Sequence, residues 1–323
     1  MLASCSKQEV SDNPLLQKWD TPFETAPFEK IKVEHYLPAF EAAIAEHNKE
    51  IQAIIDNAEA PTFDNTIAAL DYSGETLSKV AGVFFNMMAA NTSEELQKVN
   101  EQVGPMMATH SDNVSMNAKL FEKIKAVYDA KDSQKYTGEQ LALLEKTYNK
   151  FVRSGALLDA AKQEELRKVN AELTKVESKF DANLLKESKA YQLVIDKEEN
   201  LKGLPQGEIE KAAALAKQEG KEGKWIFTLD NPSFMPFVTY ADNRDLRKEI
   251  FNARVNRCNN GGETDNNALV AQMSELRAKK AQLLGYETFA HYQLEERMAK
   301  EPKAVFDLLE NLLSYSVKVA KEE

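Results

Sequence analysis

The segment VEHYLPAFEAAIAEHNKEIQAII, residues 33–55, decides the fold class. Its apolar side chains recur mostly at steps of three and four residues, which places them on one face of an α-helix. They are Tyr36, Leu37, Phe40, Ala43, Ile44, Ile51 and Ile55. Charged and polar residues occupy most of the other positions, so such a helix would bury one face and expose the other. We therefore predict an amphipathic helix here, within a mainly α fold.

The next segments continue the helical pattern. PTFDNT, residues 61–66, reads as a turn and N-cap, because Asp and Asn side chains can accept hydrogen bonds from the first amides of a helix. A second helix is predicted from Ile67. Residues 80–88 are nearly all apolar, so we expect other helices to surround them in the core.

Further helices are predicted along the rest of the chain. The apolar positions between Leu158 and Leu185 alternate steps of three and four, a pattern typical of a long antiparallel helical hairpin. Helices are also predicted over 267–284 and 286–298, with Gly285 as a left-handed C-cap between them. A last helix opens at Glu301-Pro302 and continues to the end of the sequence, where Glu322 and Glu323 oppose the helix dipole.

Two short runs break the helical pattern. YQLVID, residues 191–196, and WIFTLD, residues 225–230, are rich in β-branched and aromatic residues and are bounded by turn residues. They could pair as a small ribbon, with a short helix around 209–217 in the connection. The predicted fold is therefore mainly α, an elongated multi-helix assembly with a two-stranded β ribbon. Residues 21–323 would form the helical region, with a subdivision near 190–235, and residues 1–20 a disordered, lipoprotein-like tether.

Composition excludes several classes of partner. The chain has 323 residues, only 12 Gly and 10 Pro, and a formal net charge of -11 with a pI near 5.1. Nucleic-acid backbones are bound by clustered Lys and Arg, so we predict no nucleic-acid partner. Mean hydropathy is -0.50 and no run of about eighteen apolar residues occurs, so we predict no membrane-spanning segment.

Cys5 is a lipidation candidate. It closes the tetrapeptide Leu2-Ala3-Ser4-Cys5, which resembles the lipobox of bacterial lipoproteins, and polar residues suited to a tether follow it. A chance match is the alternative, because the basic start and apolar stretch of a signal peptide do not precede it. A functional lipobox implies an envelope protein facing the periplasm, attached to the membrane only by its lipid. A true start at Met1 implies a cytoplasmic protein.

The sequence offers no complete catalytic site. Its four histidines do not form a His-Glu-x-x-His pair, so no zinc site is predicted. His291 and Glu295 are spaced to share a helix face, but two ligands do not close a zinc site, and a surface polar pair is the commoner explanation. Cys258 follows Arg257, whose charge could lower the thiol pKa, yet a structural or incidental cysteine is favoured because no histidine is near in sequence. No Gly-x-Ser-x-Gly or phosphate-binding motif is present.

Several ordered strings resemble the N-terminal half of the zinc-dependent oligopeptidases that include thimet oligopeptidase and peptidyl-dipeptidase. The resemblance runs from about Pro22 to the C-terminus. The strings are FEKIKVEHYLPAF (28–40), PTFDNT (61–66), WIFTLD (225–230) with Pro232-Ser233, YADNRDLR (240–247), and LRAKKAQLLGY (276–286) with Arg297-Met298-Ala299. The signature residues that we take as structural are His35, Tyr36, Pro38, Asn65, Pro232, Arg247, Arg277, Gly285, Tyr286 and Met298.

The resemblance implies a zinc peptidase in which two helical halves enclose a channel for short, unstructured peptides. It implies zinc as the cofactor of the full-length protein, held by His-Glu-x-x-His and a later glutamate that this sequence does not contain. We therefore assign no catalytic or metal-binding residue here, and expect the chain alone to bind no zinc and to be inactive. Its expected partners are a C-terminal catalytic half and peptide substrates. The alternative is a non-catalytic helical module that binds peptides or proteins.

Overall fold

A computed structural model describes residues 12–323, and most of them are helical. In chain order the α-helices are α1 (Tyr36–Asp56), α2 (Ala69–Tyr72), α3 (Glu75–Ala90), α4 (Glu94–Ser115), α5 (Ala118–Asp129), α6 (Gly138–Arg153), α7 (Ala160–Ala190), α8 (Gln206–Gln218), α9 (Asn231–Tyr240), α10 (Arg244–Val255), α11 (Asn267–Leu283), α12 (Phe289–Leu294) and α13 (Pro302–Glu322). Two strands, β1 (Leu193–Ile195) and β2 (Trp225–Phe227), complete the fold. The predictions of a mainly α fold and of a two-stranded ribbon are confirmed.

The chain divides into two compact units. The first comprises Met1–Lys175 with Leu276–Glu323, and the second Val176–Glu275. The predicted subdivision near 190–235 falls inside the second unit. Its bounds stay a prediction. Within the described residues 12–323, no helix has both the length and the hydrophobicity needed to cross a bilayer.

The first unit buries two neighbouring apolar clusters. One lies where α1 packs on α3, with Phe40 against Phe84 at 5.4 Å between ring centroids. The other joins the C-terminal part of α1 to α5 and α6, around Ile54, Ile124 and Phe151. Both clusters include residues of α1, because the three- and four-residue spacing of its apolar side chains gives this helix one continuous buried face.

The segment between α1 and α2 begins as the sequence predicts and then differs. Thr62 is an N-cap: its hydroxyl accepts from the Asn65 amide at 3.1 Å, and the Asn65 side-chain oxygen accepts from the Thr62 amide at 2.8 Å. This capping box satisfies two exposed amides. A π-helix, Phe63–Ala68, follows it before α2 begins.

The apolar spacing over residues 158–185 predicts a helical hairpin, whereas the structure has one continuous helix, α7 (Ala160–Ala190). No Gly or Pro occurs between residues 160 and 190, so the segment contains no residue that commonly ends a helix. The periodicity was sound, but it could not show where the chain reverses.

The second unit is built around the ribbon. β1 pairs antiparallel with β2, with Val194 opposite Ile226. The helix α8 lies in the connection, and α9 packs on the ribbon through Phe227 and Phe237, whose ring centroids are 4.6 Å apart. The connection is long because it contains a helix of its own, as predicted.

The N-terminal segment predicted as a tether is only partly described. Residues 1–11, including Cys5, lie outside the described residues. Residues 12–20 contact the first unit: Leu15 is fully buried in the cluster around Phe84, and the Asn13 side chain donates to the His35 carbonyl at 2.8 Å. The described part of this segment therefore packs on the helical core.

Candidate functional site

The described residues do not supply a zinc site. Among residues 12–323 no group of three or more His, Cys, Asp and Glu side chains is placed to hold a metal ion. A catalytic zinc takes three protein ligands, so the side chains described here do not fit that ion. We derive no chemical step through a metal.

The imidazole rings of two of the four histidines contact only residues near them in sequence among the described residues. His35 accepts from the Lys32 amide at its Nδ1, at 3.0 Å, just before α1. His291 contacts the Thr288 hydroxyl at 2.9 Å, and its Nε2 lies 3.7 Å from the Glu287 carboxylate. The suggested pairing of His291 with Glu295 does not form, because Glu295 accepts hydrogen bonds from Arg153 and Tyr286.

The other two histidines form a hydrogen-bonded chain with a serine. The Nδ1 of His47 on α1 lies 2.9 Å from the Nε2 of His110 on α4. The Nε2 of His47 lies 3.1 Å from the Ser73 hydroxyl, which itself donates to the Leu70 carbonyl at 2.7 Å. These hydrogen bonds thus run from His110 on α4 through His47 on α1 to Ser73 in the turn between α2 and α3.

The donor and the acceptor in each of these hydrogen bonds follow from the last acceptor, the Leu70 carbonyl. A carbonyl can only accept, so the single hydroxyl proton of Ser73 is committed to Leu70. Ser73 must then accept from the Nε2–H of His47, whose Nδ1 in turn accepts from the Nε2–H of His110. In this arrangement Ser73 relays a hydrogen bond and is not an activated nucleophile, since activation needs a base that accepts its proton.

Burial favours the neutral form of both histidines, because it lowers the pKa of each. Desolvation lowers the pKa of His47, an effect that the Glu50 carboxylate opposes and the Lys150 ammonium strengthens. Burial also lowers the pKa of His110, and the neighbouring His47 adds to the effect. The Glu50 carboxylate also accepts a hydrogen bond from the Gly74 amide, at 2.7 Å, at the start of α3.

A cavity of about 390 Å³ lies beside the hydrogen-bonded side chains of His110, His47 and Ser73, entirely within the first unit. One part of its lining is polar: His47, His110, Ser73, Ser115, Asp71 and Lys150. Another part is apolar: Leu77, Met107, Val114 and Phe151. Its volume is within the range of small-molecule pockets, roughly 300–1,000 Å³.

No local sequence pattern indicates that these three residues meet. His47 and His110 are 63 residues apart, and Ser73 is 26 from His47. The periodicity that places Ala43 and Ile51 on the buried face of α1 also places His47, four residues from each, on that face, where it is half-buried. The spacing of apolar residues predicts which face of a helix is buried. It does not predict which side chain of another helix contacts His47.

A second cluster joins α6 to the segment after α11. Arg153 donates to the Glu295 carboxylate, to the Tyr292 carbonyl at 2.7 Å and to the Tyr286 hydroxyl at 3.3 Å. The Tyr286 hydroxyl also donates to Glu295 at 2.5 Å. Burial and the Glu295 carboxylate raise the pKa of Tyr286 to about 12, so this hydroxyl stays a donor. The signature residue Tyr286 therefore has a structural role.

The other signature residues act locally. Tyr36 and Pro38 lie in the first turn of α1, where Tyr36 is buried against Phe84 at 5.0 Å between ring centroids. Asn65 belongs to the capping box described above. Gly285 has the left-handed conformation expected of a C-cap, with φ of 83°, and ends α11. That prediction is confirmed.

The remaining signature residues fall in or near the later helices. Pro232 is in the first turn of α9, where a missing amide costs nothing. Arg247 donates to the carbonyls of Ala241 and Asp242, bracing the turn before α10. Arg277 lies over the Phe289 ring at 5.6 Å, and the Met298 side chain is fully exposed.

Cys258 is buried, and the pKa of its thiol is raised, whereas Arg257 alone would lower it. Burial and the adjacent Glu187 carboxylate raise the pKa of its thiol to about 11, outweighing the lowering effect of Arg257. Glu187 accepts from the Cys258 amide at 2.9 Å, and from the side chains of Asn260 and Thr264 at 2.6 Å each. It thereby anchors the loop between α10 and α11.

Comparison with known proteins points to one peptidase family. A model described as "Peptidase family M3" matches residues 237–323. A dipeptidyl carboxypeptidase of Salmonella typhimurium is 34% identical over 304 residues, covering 94% of this chain and 45% of that protein. The Escherichia coli dipeptidyl carboxypeptidase is 32% identical, with 96% and 46% covered. A probable cytosolic oligopeptidase A of Arabidopsis thaliana is 31% identical, with 96% and 44% covered. The chain spans just under half the length of these relatives.

Proposed function

Because the chain belongs to peptidase family M3, we propose that it forms the N-terminal, channel-forming portion of a zinc-dependent peptidyl-dipeptidase or oligopeptidase that hydrolyses short peptides. The observation that carries this proposal is the similarity to dipeptidyl carboxypeptidases over 94–96% of the chain. In this account the chain binds and confines peptides, and residues outside it hold the zinc and do the chemistry. It follows that the chain alone does not hydrolyse peptides.

The last helix, α13, has an exposed apolar face that could pack against another part of the peptidase. No residue of α13 is buried, although the helix lies within the segment that matches the family. Its exposed apolar side chains are Phe306, Leu308, Leu309, Leu312, Leu313, Tyr315, Val317 and Val319. Helices in proteins gain most of their stability from packing an apolar face against other elements. We propose that the catalytic part of the peptidase covers this face.

A chimera tests the proposal. The region of the Escherichia coli dipeptidyl carboxypeptidase that aligns with this chain would be replaced by the chain, and hydrolysis of a quenched fluorescent peptide measured. The proposal predicts hydrolysis by the chimera and none by the chain alone, the matched control. A chimera that folds, by circular dichroism and a cooperative melt, yet hydrolyses nothing would contradict it.

The alternative, a non-catalytic helical binding module, makes a different prediction. A module of that kind would bind an uncleaved peptide tightly as an isolated chain and would give an inactive chimera. Fluorescence anisotropy with the same peptide, lacking its quencher, measures the first property. Binding by the isolated chain together with a folded but inactive chimera would favour the module.

We also propose that Cys5 carries a lipid and that the protein faces the periplasm. The tetrapeptide that ends at Cys5 supports this, as does the polar stretch after it. Metabolic labelling of the protein with a radioactive fatty acid in a bacterial host tests the proposal, with Cys5→Ser as the matched variant. Label that persists in Cys5→Ser, or no label in either form, would refute lipidation at this residue.

A further inference from the structure

The loop between α10 and α11 contains an exposed Asn-Gly pair, Asn260-Gly261. In such a pair the backbone nitrogen of the glycine can attack the side-chain carbon of the asparagine, because glycine has no Cβ to obstruct the approach. The attack needs that carbon held beside the nitrogen, a base for the proton of the nitrogen, and a donor for the oxygen on which negative charge develops. The loop, which belongs to the second unit, supplies all three.

The Asn260 side chain folds back over the backbone that follows it. Its oxygen accepts from the Gly262 amide at 3.1 Å, which forms an Asx turn. The nitrogen of Gly261 lies inside the ring that this hydrogen bond closes, so the turn brings the side-chain carbon toward it. The same Gly262 amide is the donor for the oxygen. A Cβ built on Gly261 would meet nothing within 4 Å among the described residues, which leaves room for a new five-membered ring.

Asp265 is placed to act as the base. Its Oδ2 accepts from the Gly261 amide at 2.8 Å. Hydrogen bonds from the amides of Asn267 and Gly261 lower the pKa of Asp265, so its carboxylate is ionised at neutral pH. It can therefore take the amide proton as the nitrogen attacks.

The Glu187 carboxylate fixes the other end of the Asn260 amide group. One oxygen of Glu187 accepts from the Asn260 side-chain nitrogen at 2.6 Å, and the other accepts from the Cys258 amide at 2.9 Å. With its nitrogen held there, the Asn260 side chain keeps its oxygen on the Gly262 amide. The orientation that favours attack is thus set by contacts at both ends of the amide group.

We propose that Asn260 is a self-deamidation site, at which the loop converts its own asparagine to aspartate and isoaspartate. The Gly261 nitrogen bonds to the Asn260 side-chain carbon while Asp265 takes the proton of that nitrogen. The bond from this carbon to the side-chain nitrogen then breaks, and the departing nitrogen takes up the proton through water and leaves as ammonia. Water opens the resulting five-membered imide at either of its two carbonyl carbons, which gives the two products.

Mass spectrometry of the purified chain, after incubation at neutral pH in isotopically labelled water, tests the proposal. Trypsin releases residues 258–277 as one peptide, and we expect one oxygen atom from water to enter it at Asn260. Asn259 is the internal control, because its next residue carries a side chain and its own oxygen accepts from the Asn267 side chain at 2.8 Å. Incorporation at Asn259 equal to that at Asn260, or none at Asn260, would overturn the proposal.

A synthetic peptide of residues 258–277 separates the effect of the folded loop from that of the Asn-Gly sequence. In the peptide the base and the donor are not held in place, so we expect Asn260 to deamidate at least about threefold faster in the folded chain. An equal or lower rate in the folded chain would mean that the loop does not promote the reaction, and the proposal would fail.

Two acidic residues of the loop give a matched pair of variants. Asp265→Asn removes the base and should slow deamidation of Asn260 at least about tenfold. Asparagine there still offers an oxygen to the Asn267 amide, which Asp265 accepts at 2.9 Å, so the start of α11 is kept. Glu263→Gln removes the same charge from a residue that pairs with Lys186, and should leave the rate unchanged. Equal rates in the two variants would overturn the role of Asp265. If Asp265→Asn does not fold, the comparison of folded chain and peptide decides.

Deamidation should also loosen the loop. A carboxylate at position 260 would face Glu187, and two like charges repel. In a Cys5→Ser background, Asn260→Asp should therefore raise the rate at which a thiol reagent labels Cys258 at least about threefold. Asn259→Asp adds the same charge opposite the Asn267 side-chain donor and should not change that rate. Equal labelling of the two variants would refute the loosening of the loop by deamidation.

Discussion

Arg153→Ala should destabilise the first unit strongly. Arg153 is 13% exposed and holds three groups from the segment after α11: the Glu295 carboxylate, the Tyr292 carbonyl and the Tyr286 hydroxyl. Its guanidinium also lies over the Tyr292 ring at 4.4 Å. Alanine would remove all of these contacts and leave the Tyr292 carbonyl without its side-chain donor.

The magnitude follows from adding the contacts with their exposure in mind. The charge-assisted bond to the Tyr292 carbonyl contributes about 1.5–3 kcal/mol. Stacking on the ring adds about 0.5–2 kcal/mol. The ion pair counts for at most about 1 kcal/mol, because the Glu295 side chain is 49% exposed. Since such contacts are not additive, we expect a loss of about 3 kcal/mol in the free energy of unfolding.

Urea denaturation followed by tryptophan fluorescence measures this loss. The chain has two tryptophans, Trp19 in the first unit and Trp225 in the second, so a Trp225→Phe background reports on the first unit alone. Separate signals are needed because two units need not unfold in one step.

Two further variants make the Arg153 experiment decisive. Arg153→Lys keeps the charge but loses the planar fork and should recover only part of the stability. Lys125→Ala breaks an exposed ion pair with Asp129 on α5 and should leave the free energy of unfolding almost unchanged, because water and salt screen such pairs. If Arg153→Ala costs no more than Lys125→Ala, the cluster does not hold the segment after α11 and the reasoning fails.

Three further predictions concern the second unit. Gly203→Ala places a Cβ 2.1 Å from a backbone oxygen at φ of 86° and should cost about 3–5 kcal/mol in urea denaturation, whereas Gly207→Ala, which meets nothing within 4 Å, should cost almost nothing. The Glu187 carboxylate is buried in part, but the hydrogen bonds it accepts outweigh burial and lower its pKa. Its stabilisation should therefore be present above about pH 4.3 and lost as pH falls through the folded-state pKa. Glu187→Gln should flatten that acid limb, and an unchanged limb would refute the assignment. In a Cys5→Ser background, the Cys258 thiol should react with a thiol reagent at mildly alkaline pH only after urea is added, because burial raises its pKa to about 11, and rapid labelling of the folded chain would contradict this.

The sequence predicts the helices well because their signal is local. The spacing around Phe40 predicts α1 to within a few residues, and Gly285 marks the end of α11. Helix starts are less well predicted. The helix expected over 286–298 is reduced to α12 (Phe289–Leu294), because the Thr288 hydroxyl accepts from the His291 amide and begins the helix later. The π-helix at Phe63–Ala68 had no sequence signal that periodicity could detect.

The candidate site could not be predicted in the same way. Its chemistry depends on His47 meeting His110 and Ser73, and these contacts are set by how α1, α2 and α4 pack. Packing is a property of the whole core, so no spacing within one segment encodes it. The ordered strings that indicate the family were more informative about function than any single titratable residue.

We propose that this chain is part of a zinc peptidase whose catalytic metal is held by residues outside it. The most direct measurement combines the zinc content of the purified chain, by mass spectrometry after dialysis against zinc, with hydrolysis of a quenched fluorescent peptide. We predict well below one zinc per chain and no hydrolysis above that of buffer. One zinc per chain together with turnover that a chelator abolishes would contradict the account.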